Sequence, residues 1–144
     1  MREIKFRVWD TENKEMLRVQ ELDFEDTFYG GRLSIRTEQY NDYFDIEDMI
    51  LMQYTGLHDK NGKEIWEGDI VKISEKNNIA KHKVISMKPI IAEISWSEEY
   101  LAYILITTSA KDAFENLADY LDDYDIEKIG NIYENKELLN ETNR

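Results

Sequence analysis

The chain has 144 residues, with 31 Asp or Glu against 18 Lys or Arg, and a formal net charge of −13. That length suits one compact domain that buries a core without metals or disulfides to brace it. The sequence contains no cysteine, which excludes disulfide scaffolds, cysteine-ligated zinc and thiol catalysis.

The acidic excess is shared almost equally between the two halves of the sequence. No basic half is hidden behind an acidic tail, and the overall field opposes a phosphate backbone. The start, "MREIKFRVWD", alternates charged and apolar residues and has no apolar run of the signal-peptide kind. The longest near-apolar run, "YLAYILI", is far shorter than the roughly 20 residues of a membrane helix. These features predict a soluble protein of a reducing cytoplasm, with no membrane partner.

In "IKFRVW", Ile4, Phe6 and Val8 alternate with Lys5, Arg7 and Trp9, the pattern of a half-buried strand. "DTENK" predicts a turn opened by Asp10, with Asn13 left-handed and Lys14 returning opposite Asp10. Met16–Val19 then forms the return strand. Gly30-Gly31 suits a turn into a short strand, "RLSI". The acidic, aromatic "QYNDYFDIED" is loop-like, and residues 21–48 suit an insertion or a flap. "MILMQYTGL" predicts a central strand, and "EIWEGDIVKIS" a second strand kinked at Gly68.

"EKNNIAKHK" is a polar link. "KVIS", "PIIAEISW" and "YLAYILITT" predict three further strands, with Pro89 opening one of them. The period then changes. Ala110, Ala113, Phe114, Leu117 and Leu121 form one helical stripe, with Ser109 as cap and Asp112 in the first turn. "DIEKIGNIYEN" returns to a strand, and "NKELL" forms a last helical turn before a polar tail. The order is mostly β with one short α-helix, which favours a small barrel or sandwich.

The segment "LMQYTGLHDKNGKEIWEGDIVKI", residues 51–73, is densest in distinctive residues. It is not a calcium loop: counted from Asp59, Gly62 falls at position 4, two short of the loop's glycine, and Ile70 stands in place of the closing Glu. A hairpin fits better. Asp59, Lys60, Asn61 and Gly62 make a type I turn, with Gly62 left-handed in a bulge and Asp59 opposite Lys63. A two-residue loop at Asn61-Gly62 would set Lys60 against Lys63 and Asp59 against Glu64, placing like charges face to face. In "EGDIV", Gly68 permits a tight bend and Asp69 bonds nearby backbone N–H groups, a pattern common in small SH3-like barrels. Asp59, Asn61, Gly62, Gly68 and Asp69 are therefore structural turn residues.

"REIKFRVWD", "MQYTGLHDKNGKEIWEGDIV" and "IGNIYENKELL" together resemble the YopX family of phage and prophage proteins. The three motifs cover roughly a third of the chain, in the family's order and spacing. Val8 stands where a smaller alanine is usual, His58 where lysine is usual, and Lys136 where proline often follows the Asn. The last change removes a residue suited to the first helical position. The resemblance implies a single domain. It comprises an N-terminal β-hairpin and loop region (1–48), an SH3-like barrel region (49–134, helix near 110–121) and a tail (135–144). It also implies a phage or prophage gene in a bacterial host, and no catalytic residues.

The chain shows no phosphate loop and no nucleophile elbow. His58 and His82 lie far apart in sequence, so neither a histidine pair for zinc nor a general base is evident. Asp122, Asp123, Asp125 and Glu127, Glu47 with Asp48, and Glu98 with Glu99 read as solvated charge runs rather than a Mg²⁺ site. No catalytic residue, metal or cofactor is expected, and a metal-dependent hydrolase is the least favoured class. One basic island exists: Lys76, Lys81, His82, Lys83 and Lys88, followed by Trp96, Tyr100 and Tyr103. Lysines beside aromatics can bind a single strand of nucleic acid. The plainer account has Trp96 in the core and the lysines coating a loop. The expected function is binding of another protein or self-association, without catalysis. The alternatives are a nucleic-acid-binding barrel using residues 76–88, or an acidic mimic that inhibits a host nucleic-acid-binding protein.

Overall fold

The computed structural model describes residues 1, 3–26, 30–76, 88–107 and 115–140. The fold is mostly β, with two antiparallel sheets and one short helix. The chain divides into two compact units, Met1–Tyr54 and Thr55–Arg144.

Unit 1 contains β1 (Phe6–Asp10), β2 (Glu15–Asp26), β3 (Arg32–Thr37), β4 (Tyr43–Asp45), a 3-10 turn (Ile46–Asp48) and the first part of β5 (Met49–His58). Its core is Val8, Leu17, Ile35 and Met49, with Val19, Leu22, Phe44, Ile46 and Leu51 packed around them. β1 pairs with both β2 and β5, so it is a central strand. This corrects the half-buried strand expected at 4–9: Arg7 and Trp9 are buried as well as Val8, while Ile4 is exposed. Residues 21–48 are likewise more regular than a flap, because β2 continues to Asp26 and β3 and β4 pair beside it. Gly30 and Gly31 both take positive φ in the turn that leads into β3. At the first turn, Asp10 pairs with Glu15 rather than Lys14, and Lys14 rather than Asn13 is left-handed (φ 57°). Asn13 is held instead: its N–H donates to Asp10 Oδ1 and its Nδ2 to Asp10 Oδ2, both at 2.9 Å. That bond fixes Asn13 and passes the reversal to the next residue.

Unit 2 holds the rest of β5, β6 (Glu64–Trp66), β7 (Asp69–Glu75), β8 (Ile90–Ser97), β9 (Ala102–Thr107), β10 (Glu115–Asn116), α1 (Leu117–Asp123), β11 (Tyr124–Asn131) and a 3-10 turn (Lys136–Leu139). The first sheet runs β4-β3-β2-β1-β5-β6 and the second β10-β9-β8-β7-β11. Among the described residues both sheets are open, with no pairing that closes either into a barrel. The core of unit 2 is Ile65, Val71, Ile73, Ala92, Ile94, Leu105, Leu117 and Ile126.

Two expectations change here. "EIWEGDIVKIS" is not one kinked strand. Gly68, at φ 80°, reverses the chain, so β6 belongs to the first sheet and β7 to the second. The helix also starts later than 110. Glu115–Asn116 pairs with β9, and α1 begins at Leu117 with Asn116 as its cap, Oδ1 accepting the Ala118 N–H at 3.0 Å. Leu117 and Leu121 do pack on the core. Ser109, Ala110, Asp112, Ala113 and Phe114, and the strand expected at "KVIS", lie outside the described residues. Pro89 directly precedes β8, and "NKELL" forms the final 3-10 turn, both as expected.

β11 ends in a tight return. Asn131 Oδ1 accepts the N–H groups of Tyr133 and Glu134, and Asn135 Oδ1 accepts the Asn131 N–H at 3.3 Å. Gly130 lies against this return. A Cβ added there would sit 2.6 Å from Asn135 Oδ1 and 2.9 Å from Asn135 Cβ and Cγ. Gly130→Ala is expected to cost about 1–3 kcal/mol in denaturant unfolding, the range for overpacking a tight site. Asn135→Ala in the same chain restores only part of that loss, since its Cβ stays in the way.

Candidate functional site

Of the basic island, only Lys76 and Lys88 fall within the described residues. Lys81, His82 and Lys83 lie outside the described residues. Lys88 is exposed just ahead of β8. Lys76, at the end of β7, is engaged elsewhere: its Nζ donates to the Leu121 carbonyl (2.7 Å) and the Asp122 carbonyl (2.6 Å). These are the terminal carbonyls of α1, whose last turn holds no basic residue of its own. A cation there satisfies orphan acceptors and meets the negative end of the helix. Lys76 is thus a helix cap supplied from 45 residues away.

Trp96 departs from the plainer account, which placed it in the core. It is 42 % exposed, so it does not fill the core. It pairs across β8–β9 with Tyr103, and the two rings meet edge to face at 5.1 Å. The loop between these strands presents Tyr100, 54 % exposed, and Leu101, 76 % exposed. Glu98 and Glu99 stand in the same loop and are exposed. Between Pro89 and Thr107 there is no Lys, Arg or His. Within this hairpin the exposed aromatics share their loop with carboxylates.

The 51–73 segment resolves into a structural hub. Gly62 is left-handed (φ 79°), its N–H donates to the Asp59 carbonyl at 3.0 Å, and the Asp59 N–H donates to the Lys63 carbonyl at 2.8 Å. The three-residue loop is therefore correct. Asp59 is only 6 % exposed, yet it remains a good acceptor. Its Oδ1 takes the N–H groups of Asn61 (2.8 Å) and Lys63 (2.9 Å), and its Oδ2 takes the N–H of Lys128 (2.9 Å). Burial opposes its ionisation, but these N–H donors outweigh burial and hold its pKa below the ordinary value. Asp69 is fully buried; its Oδ2 accepts the Trp66 N–H at 2.8 Å and pairs with Lys128 Nζ at 3.0 Å. Gly68 is held on both sides, donating to the Ile94 carbonyl and accepting from the Ile132 N–H. Lys128 thus joins the two aspartates, and its place in "EKIGN" gave no sign of this.

Among the described residues, no group of three or more His, Asp or Glu could hold a metal ion. Glu127 pairs with Lys60 at 3.0 Å, and Glu47 with Arg32 at 2.8 Å. Glu93 has its carboxyl pushed up by burial, with Lys136 opposing that shift. It stands in the sheet between Ile70 and Ile106.

The family model described as YopX protein matches residues 5–140. The chain belongs to the YopX family. The crystal structure of protein EF1440 from Enterococcus faecalis is similar, at 27 % identity and a TM-score of 0.56, covering 96 % of this chain and 99 % of that one. The crystal structure of protein yopX from Bacillus subtilis matches with a TM-score of 0.61 at 20 % identity, over the same shares of the two chains. No curated protein matches. In this YopX-family chain the segments "HDKNG", "EGD" and "EKIGN" meet around Asp59, Asp69 and Lys128. Among the described residues no helix is long and apolar enough to cross a membrane.

Two outcomes follow. Asp59→Asn places an amide where carboxylate oxygens accept three N–H groups, so at least one bond is lost. A loss of about 1–3 kcal/mol at pH 7 is expected. A carboxyl with a lowered folded pKa contributes stability that is complete above its unfolded value, about 3.9. That stability is lost as pH falls through the folded value. Acid unfolding followed by circular dichroism should therefore show the gap between wild type and Asp59→Asn closing below about pH 4. Lys76→Gln should cost about 0.5–1.5 kcal/mol through loss of the helix cap, and should leave oligonucleotide binding in a mobility-shift assay unchanged.

Proposed function

We propose that this YopX-family chain is a non-enzymatic accessory protein of a phage or prophage. In this reading it acts in the bacterial cytoplasm by binding another protein. One observation carries the proposal: the exposed aromatic and aliphatic side chains of the β8–β9 hairpin are bordered by carboxylates, while Lys76, which directly follows β7, is spent on a helix end. Exposed large apolar side chains grouped in one loop favour a macromolecular partner. Their anionic border disfavours a phosphate backbone, which needs cations along its track. The buried aspartates Asp59 and Asp69 have their acceptor oxygens occupied by backbone N–H groups and Lys128, which suits a scaffold rather than acid–base work.

The SH3-like character expected of residues 49–134 is part of the same proposal. It is supported by the five-stranded antiparallel sheet, in which β7, β8 and β9 are consecutive neighbours. Self-association is a form of the same activity, since open sheets leave edge strands that can pair. Nucleic-acid binding is the competing reading, resting on Lys88 and the lysines of residues 81–83.

The test is capture from host lysate on the tagged protein, with and without nuclease. A stoichiometric protein partner that survives nuclease is the expected result. Recovery of nucleic acid, or a partner lost on nuclease treatment, would transfer the function to the basic link.

A further inference from the structure

We propose that the tip of the β8–β9 hairpin, Trp96–Tyr103, is a docking site for a cationic, partly apolar polypeptide segment of a partner protein. The proposal rests on the protein-binding reading above and names the site and the partner's chemistry.

Three observations converge on this tip. The first is display. Trp9 and Trp66 are buried, whereas Trp96 is largely open to solvent and is followed by the exposed Tyr100 and Leu101. The edge-to-face contact of Trp96 with Tyr103 sets one ring against the other before any partner arrives. Rings already ordered lose little freedom when something docks on them.

The second is backbone conformation. Leu101 is held at φ 49°, in the left-handed region where a residue with a Cβ is disfavoured. Glycine or asparagine would close the turn at less cost. A bulky leucine in that position, with its side chain almost wholly in solvent, is not explained by the fold. It is explained by a contact made outside the chain.

The third is charge. Glu98 and Glu99 occupy the loop, and the segment from Pro89 to Thr107 carries no cation of its own. Aromatic faces attract Arg and Lys, and carboxylates beside them add attraction. A basic segment with interspersed apolar residues complements rings, carboxylates and Leu101 together. An anionic nucleic acid meets the rings but is repelled by the carboxylates. A second copy of this chain brings the same net negative charge.

Trp96, the exposed indole, serves as the reporter. The full chain is titrated at physiological salt with a short synthetic peptide alternating Arg and Leu, and tryptophan fluorescence is followed. Saturable binding is expected. Leu101→Gly and the pair Glu98→Gln/Glu99→Gln should each weaken it by about tenfold or more. Leu101→Gly should keep or raise Tm, because glycine relieves the positive φ. The exposed pair Glu12→Gln/Glu25→Gln makes the same charge change in unit 1 and should leave the affinity unchanged.

Equal weakening by the unit 1 pair would reduce the effect to diffuse charge and overturn the site. So would full binding by Leu101→Gly, or a Trp96 signal that follows protein concentration alone, which marks a second copy as the occupant. So too would displacement of the peptide by a single-stranded oligonucleotide. Lysate capture with Leu101→Gly separates the two levels of the proposal. A partner held equally by wild type and variant overturns the hairpin site and leaves protein binding standing. No partner with either overturns the broader reading, while the peptide titration still decides the hairpin.

Discussion

Two buried aspartates joined by one lysine hold unit 2 together. Asp59 closes the β5–β6 hairpin and takes the backbone N–H of Lys128; Asp69 closes the β6–β7 turn and takes the ammonium of the same residue. Each carboxylate removed from water needs several donors to offset its lost hydration. Here the donors come from three separate stretches of chain. Satisfying the charges therefore requires that the hairpin, the turn and β11 arrive together. That requirement links local turn chemistry to the register of the second sheet. It coincides with a pairing irregularity between Lys128 and Gly130, after which Asn131 pairs with Asp69.

The hub also accounts for the density of Asp, Asn and Gly in these segments. Asp, Asn, Gly and Lys at these positions are chosen by backbone geometry: positive φ at Gly62 and Gly68, no room for a Cβ at Gly130, and N–H groups that need an acceptor. The recognisable part of the chain is its scaffold. The β8–β9 hairpin is less patterned in the sequence, and it exposes Trp96, Tyr100 and Leu101.

Legibility followed the range of the deciding contact. The Asp59 loop was readable because every residue that settles it lies within five positions, and cross-strand charge pairing rejected the two-residue alternative. The Asp10 turn was readable in place but not in detail, because the Asn13 side chain turned inward to Asp10 and moved the left-handed residue to Lys14. The kinked strand at Gly68 failed for a different reason. Apolar alternation runs through "EIWEGDIVKIS" without a break, and only the capture of the Trp66 N–H by Asp69 and the bonds of Gly68 to Ile94 and Ile132 make it two strands. For the helix, the stripe through Leu117 and Leu121 was real. Its start was set by Asn116 and by pairing of Glu115–Asn116 with β9.

The sequence by itself determined the mostly-β character, the central strand at 49–57, the Asp59 turn in detail and the Asp10 turn in place, the closing 3-10 turn and the family, since these rest on period, local hydrogen bonding and a recognisable motif order. Tertiary structure alone decided the fates of Lys76, Lys128 and Trp96. Lys76 looked like part of a basic patch until a helix end 45 residues away took its ammonium. Lys128 looked unremarkable until two distant aspartates met at it. Trp96 looked like core until its place at the end of the hairpin left it in solvent. A side chain's charge and size are written in the sequence, but the group that satisfies it is chosen by whichever segment the fold brings within three ångströms or so.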